Sequence, residues 1–152
     1  MAFVPRTWVV GEVVTAALMN QEIRDGFTAT LEETMAWTAI STIGSFGTNF
    51  TAGSPTPRMR KYRQLGTEVW EYEGAINASA FAVNTTLTMF TFNTGYRPAA
   101  ERGLPNAYAA GTSHYGARFG ILSTGAMTAS VPTASSSATK VWLDGARITN
   151  PL

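Results

Sequence analysis

Cysteine is absent from the 152 residues, so neither disulfides nor thiolate metal sites contribute to fold or chemistry. Such a chain tolerates both a reducing cytoplasm and the outside world. Histidine occurs once, at His114, and aspartate stands only at Asp25 and Asp144. That leaves little material for nucleophilic or metal-assisted catalysis, and the chain reads as a non-enzyme with no cofactor and no metal. Charge is scarce as well: charged residues make up 14%, well under the usual quarter, while hydrophobic residues reach 45%. A monomer of this size needs solvated charge over most of its surface, so the shortage points to surface that meets protein. Lys and Arg total 11 against 10 for Asp and Glu, a net charge of +1. No global field is available to hold nucleic acid or an anionic membrane. No apolar run approaches the roughly 18 residues of a membrane span. The opening MAFVPRTWVVGEVV also lacks the basic, apolar and small-residue order of a secretory signal. The expectation is synthesis in the cytoplasm without membrane insertion.

What is present falls into three stretches: a docking arm and helix over 1–37, a Gly/Ser/Thr/Pro-rich linker over 38–56, and a β domain over 57–152. The first fourteen residues have no helical period, and the Val9-Val10 and Val13-Val14 pairs around Gly11 read as an extended arm. The arm is too small for a core of its own. It orders only if Phe3, Trp8, Val9, Val10, Val13 and Val14 pack on something else, which makes them the candidate docking residues. Thr15 is a suitable N-cap. Beyond it Met19, Ile23, Phe27, Leu31 and Met35 recur every four residues, an amphipathic helix over 15–35 whose stripe meets its own domain or its symmetry mates. A strict four-residue repeat drifts from the heptad seam, so a long coiled coil is not expected. From Pro57 onward Val, Phe, Tyr, Trp and Thr cluster in short runs between Gly and Pro turns, the pattern of an antiparallel β unit. Strands are expected over 58–63, 68–72, 87–92, 115–122, 126–131 and 140–143, with a Ser/Ala loop over 133–139 and a last strand ending near Ile148.

Few residues invite a chemical reading. His114, in Gly-Thr-Ser-His-Tyr-Gly, has no nucleophile-elbow pattern beside it and reads as a loop histidine. Glu71 and Glu73 share a strand face at roughly 6.5–7 Å, near the spacing of paired glycosidase acids. Alternate polar residues are also what the wet face of an antiparallel strand requires. Arg58, Arg60, Lys61 and Arg63 form the dense basic run around Tyr62. They read as a charge-protected edge strand or a contact to an acidic protein surface rather than a nucleic-acid site. Trp70, Tyr72, Tyr96, Tyr108 and Tyr115 lie at or near turns, where rings can stack on sugar faces or fill an interface.

Two stretches resemble phage structural proteins. Thr7-Trp8-Val9-Val10-Gly11-Glu12-Val13-Val14-Thr15-Ala16, continuing to Asn20 and Arg24-Asp25, resembles the opening of short virion proteins, often minor tail proteins, of actinobacterial phages. Within 57–152, the order Gly66-Thr67-Glu68-Val69, Gly74-Ala75-Ile76, Gly95-Tyr96-Arg97-Pro98-Ala99, a hairpin over 120–125 and Val141-Trp142-Leu143-Asp144-Gly145 is similar to the β-sandwich or β-barrel head domains of phage receptor-binding proteins. The resemblance implies a homotrimer in the virion. Its N terminus would dock on larger capsid or tail proteins, and its distal β head would be able to meet host-surface glycan. Tail fibres carry a long shaft where this chain has a short helix and linker. A tail-tip component, a capsid decoration protein and, third, a glycan-cleaving tail enzyme therefore all stand open.

Overall fold

The computed structural model describes residues 6–7, 9–79, 84–110, 113–131, 139–149 and 151, with backbone only at 28–29, 105–110 and 113–115. Thr15 caps the helix as its hydroxyl predicts, accepting from the Leu18 amide at 3.2 Å. Helix α1 (Ala16–Thr30) then ends earlier than its four-residue period implies. Leu31 turns extended and the chain continues without a break as β1 (Leu31–Ala39). Leu31 and Met35 therefore belong to a strand. Thr34, Trp37 and Thr38 favour a pleated surface, and β1 pairs along its length with β4 (Arg58–Gln64).

The expected linker over 38–56 is instead part of the fold. Ile40, Ile43 and Phe50 are buried in the core, and the segment supplies β2 (Gly44–Phe46) and β3 (Phe50–Ala52). Its Ser, Thr and Gly suit short strands and turns, and its isolated apolar residues are anchors. After β4 come β5 (Thr67–Glu73), β6 (Ala75–Ala78), β7 (Thr86–Phe92), β8 (Arg102–Ala110), β9 (Ser113–Ile121), β10 (Ala126–Ser130), β11 (Lys140–Trp142) and β12 (Ala146–Thr149). The strands expected from Pro57 onward are all found among these. The expected loop over 133–139 lies outside the described residues except for Thr139.

All pairings are antiparallel and build two sheets, β1-β4-β5-β12 and β2-β7-β10-β9-β8-β11-β6-β3. Laid flat, eight strands at roughly 4.8 Å spacing would hold β2 and β3 about 34 Å apart. Yet only residues 47–49 join them, in a turn closed by Phe50 N–H donating to Gly47 O at 3.1 Å. The larger sheet must therefore curl until its edges nearly meet, so it is a barrel-like wall rather than an open sheet. Its inward side chains, among them Phe90, Phe92, Phe119, Ile121 and Met127, share one core with Met59, Trp70, Tyr72 and Ile148 of the smaller sheet.

Two of the chain's crossings between sheets form adjoining corners. At the first, β5 becomes β6 through Gly74, whose φ is +86° and whose Cβ, if present, would sit 2.4 Å from the Thr56 carbonyl oxygen. Only glycine fits there. At the second, β11 becomes β12 through Leu143-Asp144-Gly145. The two corners are tied: the Asp144 carboxylate accepts from Gly74 N–H at 2.6 Å, and Leu143 N–H donates to Gly74 O at 2.8 Å. Strands that switch sheets at such corners let a small core be enclosed from several sides.

Candidate binding surfaces

Strand β4 is not an edge strand, because β1 and β5 flank it. Its basic residues are instead matched across the ladder: Arg58 stands opposite Glu73, and Arg60 opposite Glu71, which in turn faces Arg147 on β12. Arg58 pairs with Glu73, while Arg60 and Arg147 reach the two Glu71 oxygens at 2.6 and 3.1 Å. Aromatic rings fill the gaps. The Arg60 guanidinium lies 4.8 Å from the Trp37 ring centre and 5.1 Å from that of Tyr62. Arg58 also lies over Trp37, and Arg147 over Tyr62. Opposite charges directly across strands and cations over rings both stabilise a sheet face.

Burial would raise the Glu71 pKa, but hydrogen bonds from Arg60 and Arg147 outweigh it and hold the carboxyl below its ordinary value. A glycosidase general acid needs the opposite shift. Glu71 and Glu73 are both engaged as ladder partners of arginine. Trp37, whose ring sits over both arginines, was not singled out by sequence, and only cross-strand register reveals it.

The aromatic candidates separate sharply. Trp70 and Tyr72 are 0% exposed and cannot offer a ring to a sugar. The Trp70 indole donates to Glu68 at 2.7 Å. Lys61, opposite Trp70 in register, lies over the Trp70 and Tyr96 rings at 4.4 and 4.5 Å and donates to Gly95 O. Burial pulls the Lys61 pKa down, opposed by Glu68. Tyr96 is half-buried and occupied by that ammonium. Tyr108 and Tyr115 face each other in the β8–β9 register, and their side chains lie outside the described residues. The His114 backbone is in β9 opposite Ala109, not in a loop, and its side chain likewise lies outside the described residues.

A different surface is lined by small polar groups, the Thr128 hydroxyl donating to Gly120 O at 3.4 Å. On the outer face of the large sheet, register places Gly103, Gly120 and Thr128 in one row, and Arg118, Ser130 and Thr86 in the next. Because glycines carry no side chain, the rows sink into a hollow of about 340 Å³, continuous with a second of about 400 Å³ past Gly116 and Val131. Arg118 and Glu101 stand over it, 3.7 Å apart and mostly exposed. Hydroxyls on the floor with a guanidinium and a carboxylate at the rim can bind a hydroxylated ligand through several hydrogen bonds. Sequence reasoning missed this site because it is made of Gly, Ser and Thr, the residues that otherwise signal turns.

At the opposite extreme of polarity are the arm and helix. Val9, Val10, Val13, Val14, Met19, Ile23, Phe27 and Leu31 are all exposed, Phe27 to 73%. Met35, by contrast, packs against the core. Phe3 and Trp8 lie outside the described residues. Among the described residues no group of three or more His, Cys, Asp and Glu side chains is placed to hold a metal ion, and no helix is long and apolar enough to cross a membrane.

The fold has solved counterparts. The chain is similar to the head domain of lactococcal phage bIL170, from work asking whether lactococcal phage receptor binding domains share a common fold. The TM-score is 0.53 at 13% identity, covering 78% of this chain and 98% of that one. It is also similar to the receptor binding protein (gp15) of Listeria phage PSA, with a TM-score of 0.56 at 14% identity, covering 93% and 82%. At these identities the likeness is one of fold. No protein-family model matches the sequence, and no curated protein matches it either.

Proposed function

We propose that this chain is a structural component of a tailed-phage particle. In this reading it is a homotrimeric appendage anchored by its N-terminal arm, and its β domain acts as a minor-tail or tail-tip receptor-binding component. The observation that carries the reading is the pairing of two features in one chain: a β domain built like those of two phage receptor-binding proteins, and an arm and helix whose apolar side chains stay exposed. The minor-tail placement rests on the resemblance of residues 7–16. Work is done by buried area at the arm, at about 25 cal/mol per Å² before association costs. At the other surface, the hollow beside Arg118 and Glu101 takes hydroxylated groups of host-surface glycan.

The test is binding of the purified protein to host cells or cell-wall glycan. Arg118→Ala and Thr128→Lys are expected to weaken binding at least tenfold while the melting temperature stays within a degree or two. Unchanged binding by both variants removes the hollow from the reading. A second placement, as a capsid decoration protein, is favoured by one finding: α1 runs straight into β1, so the domain stands close to its anchor. Copy number decides between them. A handful per particle supports the tail tip, and hundreds support the capsid.

A further inference from the structure

We infer that Leu65, at the tip of the β4–β5 hairpin, is a self-contact residue that extends the association seam of α1 onto the β domain, where it meets a second copy of this chain. The inference rests on the self-association proposed above and adds a surface to it.

The first observation is conformational. Gln64 pairs with Thr67, so Leu65 and Gly66 alone make the turn. Their φ angles are +50° and +79°. Both central positions of this tight hairpin are thus left-handed, the case in which Asn-Gly is strongly preferred. A leucine there carries a steric penalty that asparagine largely avoids. The second observation is that the Leu65 side chain gains no burial among the described residues to offset this penalty, since Leu65 is 77% exposed. A branched apolar side chain held in an unfavourable conformation and pointed at water gains only if something else covers it.

The third observation says where. Leu65 N–H donates to the carbonyl of Thr30, the last residue of α1, at 3.1 Å. Leu31 stands opposite Gln64 in register. Met19, Ile23, Phe27, Leu31 and Leu65 therefore form one run of exposed apolar side chains from helix to hairpin tip. At roughly 60–120 Å² each, these five alone offer about 300–600 Å², a large share of the roughly 800 Å² that one partner contributes to a standard interface. The rim is polar and internally paired, with Arg63 and Glu32 at 3.6 Å, which matches the anatomy of a protein interface.

A second copy is the occupant that fits. It offers the same apolar length in the same order, and a net charge of +1 gives copies little mutual repulsion.

The experiment compares wild type, Phe27→Ser and Leu65→Asn by sedimentation over a concentration series, with thermal melts alongside. Leu65→Asn makes the turn Asn-Gly, so its fold is expected to melt no lower than wild type. The same variant is expected to weaken association at least tenfold, as Phe27→Ser also does. If Phe27→Ser weakens association and Leu65→Asn leaves it unchanged, this inference fails while the helix reading stands. If wild type stays monomeric at all concentrations, both fall.

Discussion

Tyr72 is the residue where sequence and structure part most clearly. Its place beside a turn suggested a ring presented to ligand. In the fold it is fully enclosed, 6.1 Å from the Phe92 ring, and its hydroxyl finds no hydrogen-bond partner among the described residues. Burial pushes its pKa far above the ordinary phenol value. Removing an unsatisfied buried hydroxyl is neutral to favourable, so Tyr72→Phe is expected to stabilise by up to about 1 kcal/mol. Denaturant unfolding checks this, and a clear loss would mean the hydroxyl has a partner such as an internal water. Glu71 makes the contrasting case. Its pKa is lowered on folding, so its contribution is present above the unfolded value of about 4.3 and is lost as pH falls through the lower folded value. Glu71→Gln is therefore expected to destabilise by roughly 1–2 kcal/mol at pH 7. The gap between variant and wild type should start to narrow below the unfolded carboxyl value and go on narrowing as pH falls through the lower folded value. Both residues lie on β5, and both of its faces carry large side chains. Alternation alone could not say that Trp70 and Tyr72 face the core while Glu71 and Glu73 face the arginines.

Among elements, the strands from Pro57 onward were legible because each is a short β-branched or aromatic run between turn residues. The helix start was legible from Thr15. Its end was not, since the four-residue spacing persists from Met19 through Met35. What ends the helix is a partner distant in sequence: β4 supplies a ladder for residues 31–39, and tertiary pairing overrides local period. The segment 38–56 was misjudged for a related reason, as Ile40, Ile43 and Phe50 count as core only once β6 and β7 have been placed beside them. The sheet-switching corners are elements in their own right. Asp144→Ala removes a charge-assisted hydrogen bond to Gly74 and is expected to lower stability by about 1.5–3 kcal/mol. Gly74→Ala adds a collision with the Thr56 carbonyl and a left-handed alanine, so it should cost more than Asp144→Ala in the same thermal melt. Equal or smaller loss would mean that the corner relaxes around the new methyl group.

For the whole molecule, a mainly β domain with one N-terminal helix was readable from composition and turn spacing. Curling of the eight-stranded sheet was not, because strand order is a property of long-range pairing. The hollow was not readable either, since it exists only where glycines from two strands fall in register. One prediction belongs at this scale, because stability and assembly are carried by different parts of the chain. Val10 and Val13 are 104% and 80% exposed, so Val10→Ser with Val13→Ser is expected to change unfolding stability by no more than about 0.5 kcal/mol. The same pair should sharply reduce incorporation into particles, read by quantitative mass spectrometry. A large fall in melting temperature would place the arm on its own domain instead.

The passage from α1 to β1 has a mechanical side. No flexible residues separate helix from strand, and the Leu65 amide pins the junction at Thr30. With no loop between helix and strand, few backbone bonds are left about which the joint could swivel. In a particle that holds the arm, load entering along the helix would run into the nine-residue β1 and its ladder with β4. The domain would then be aimed by its mounting, like a bracket welded to a plate, and its search for a surface would depend on motion of the whole particle.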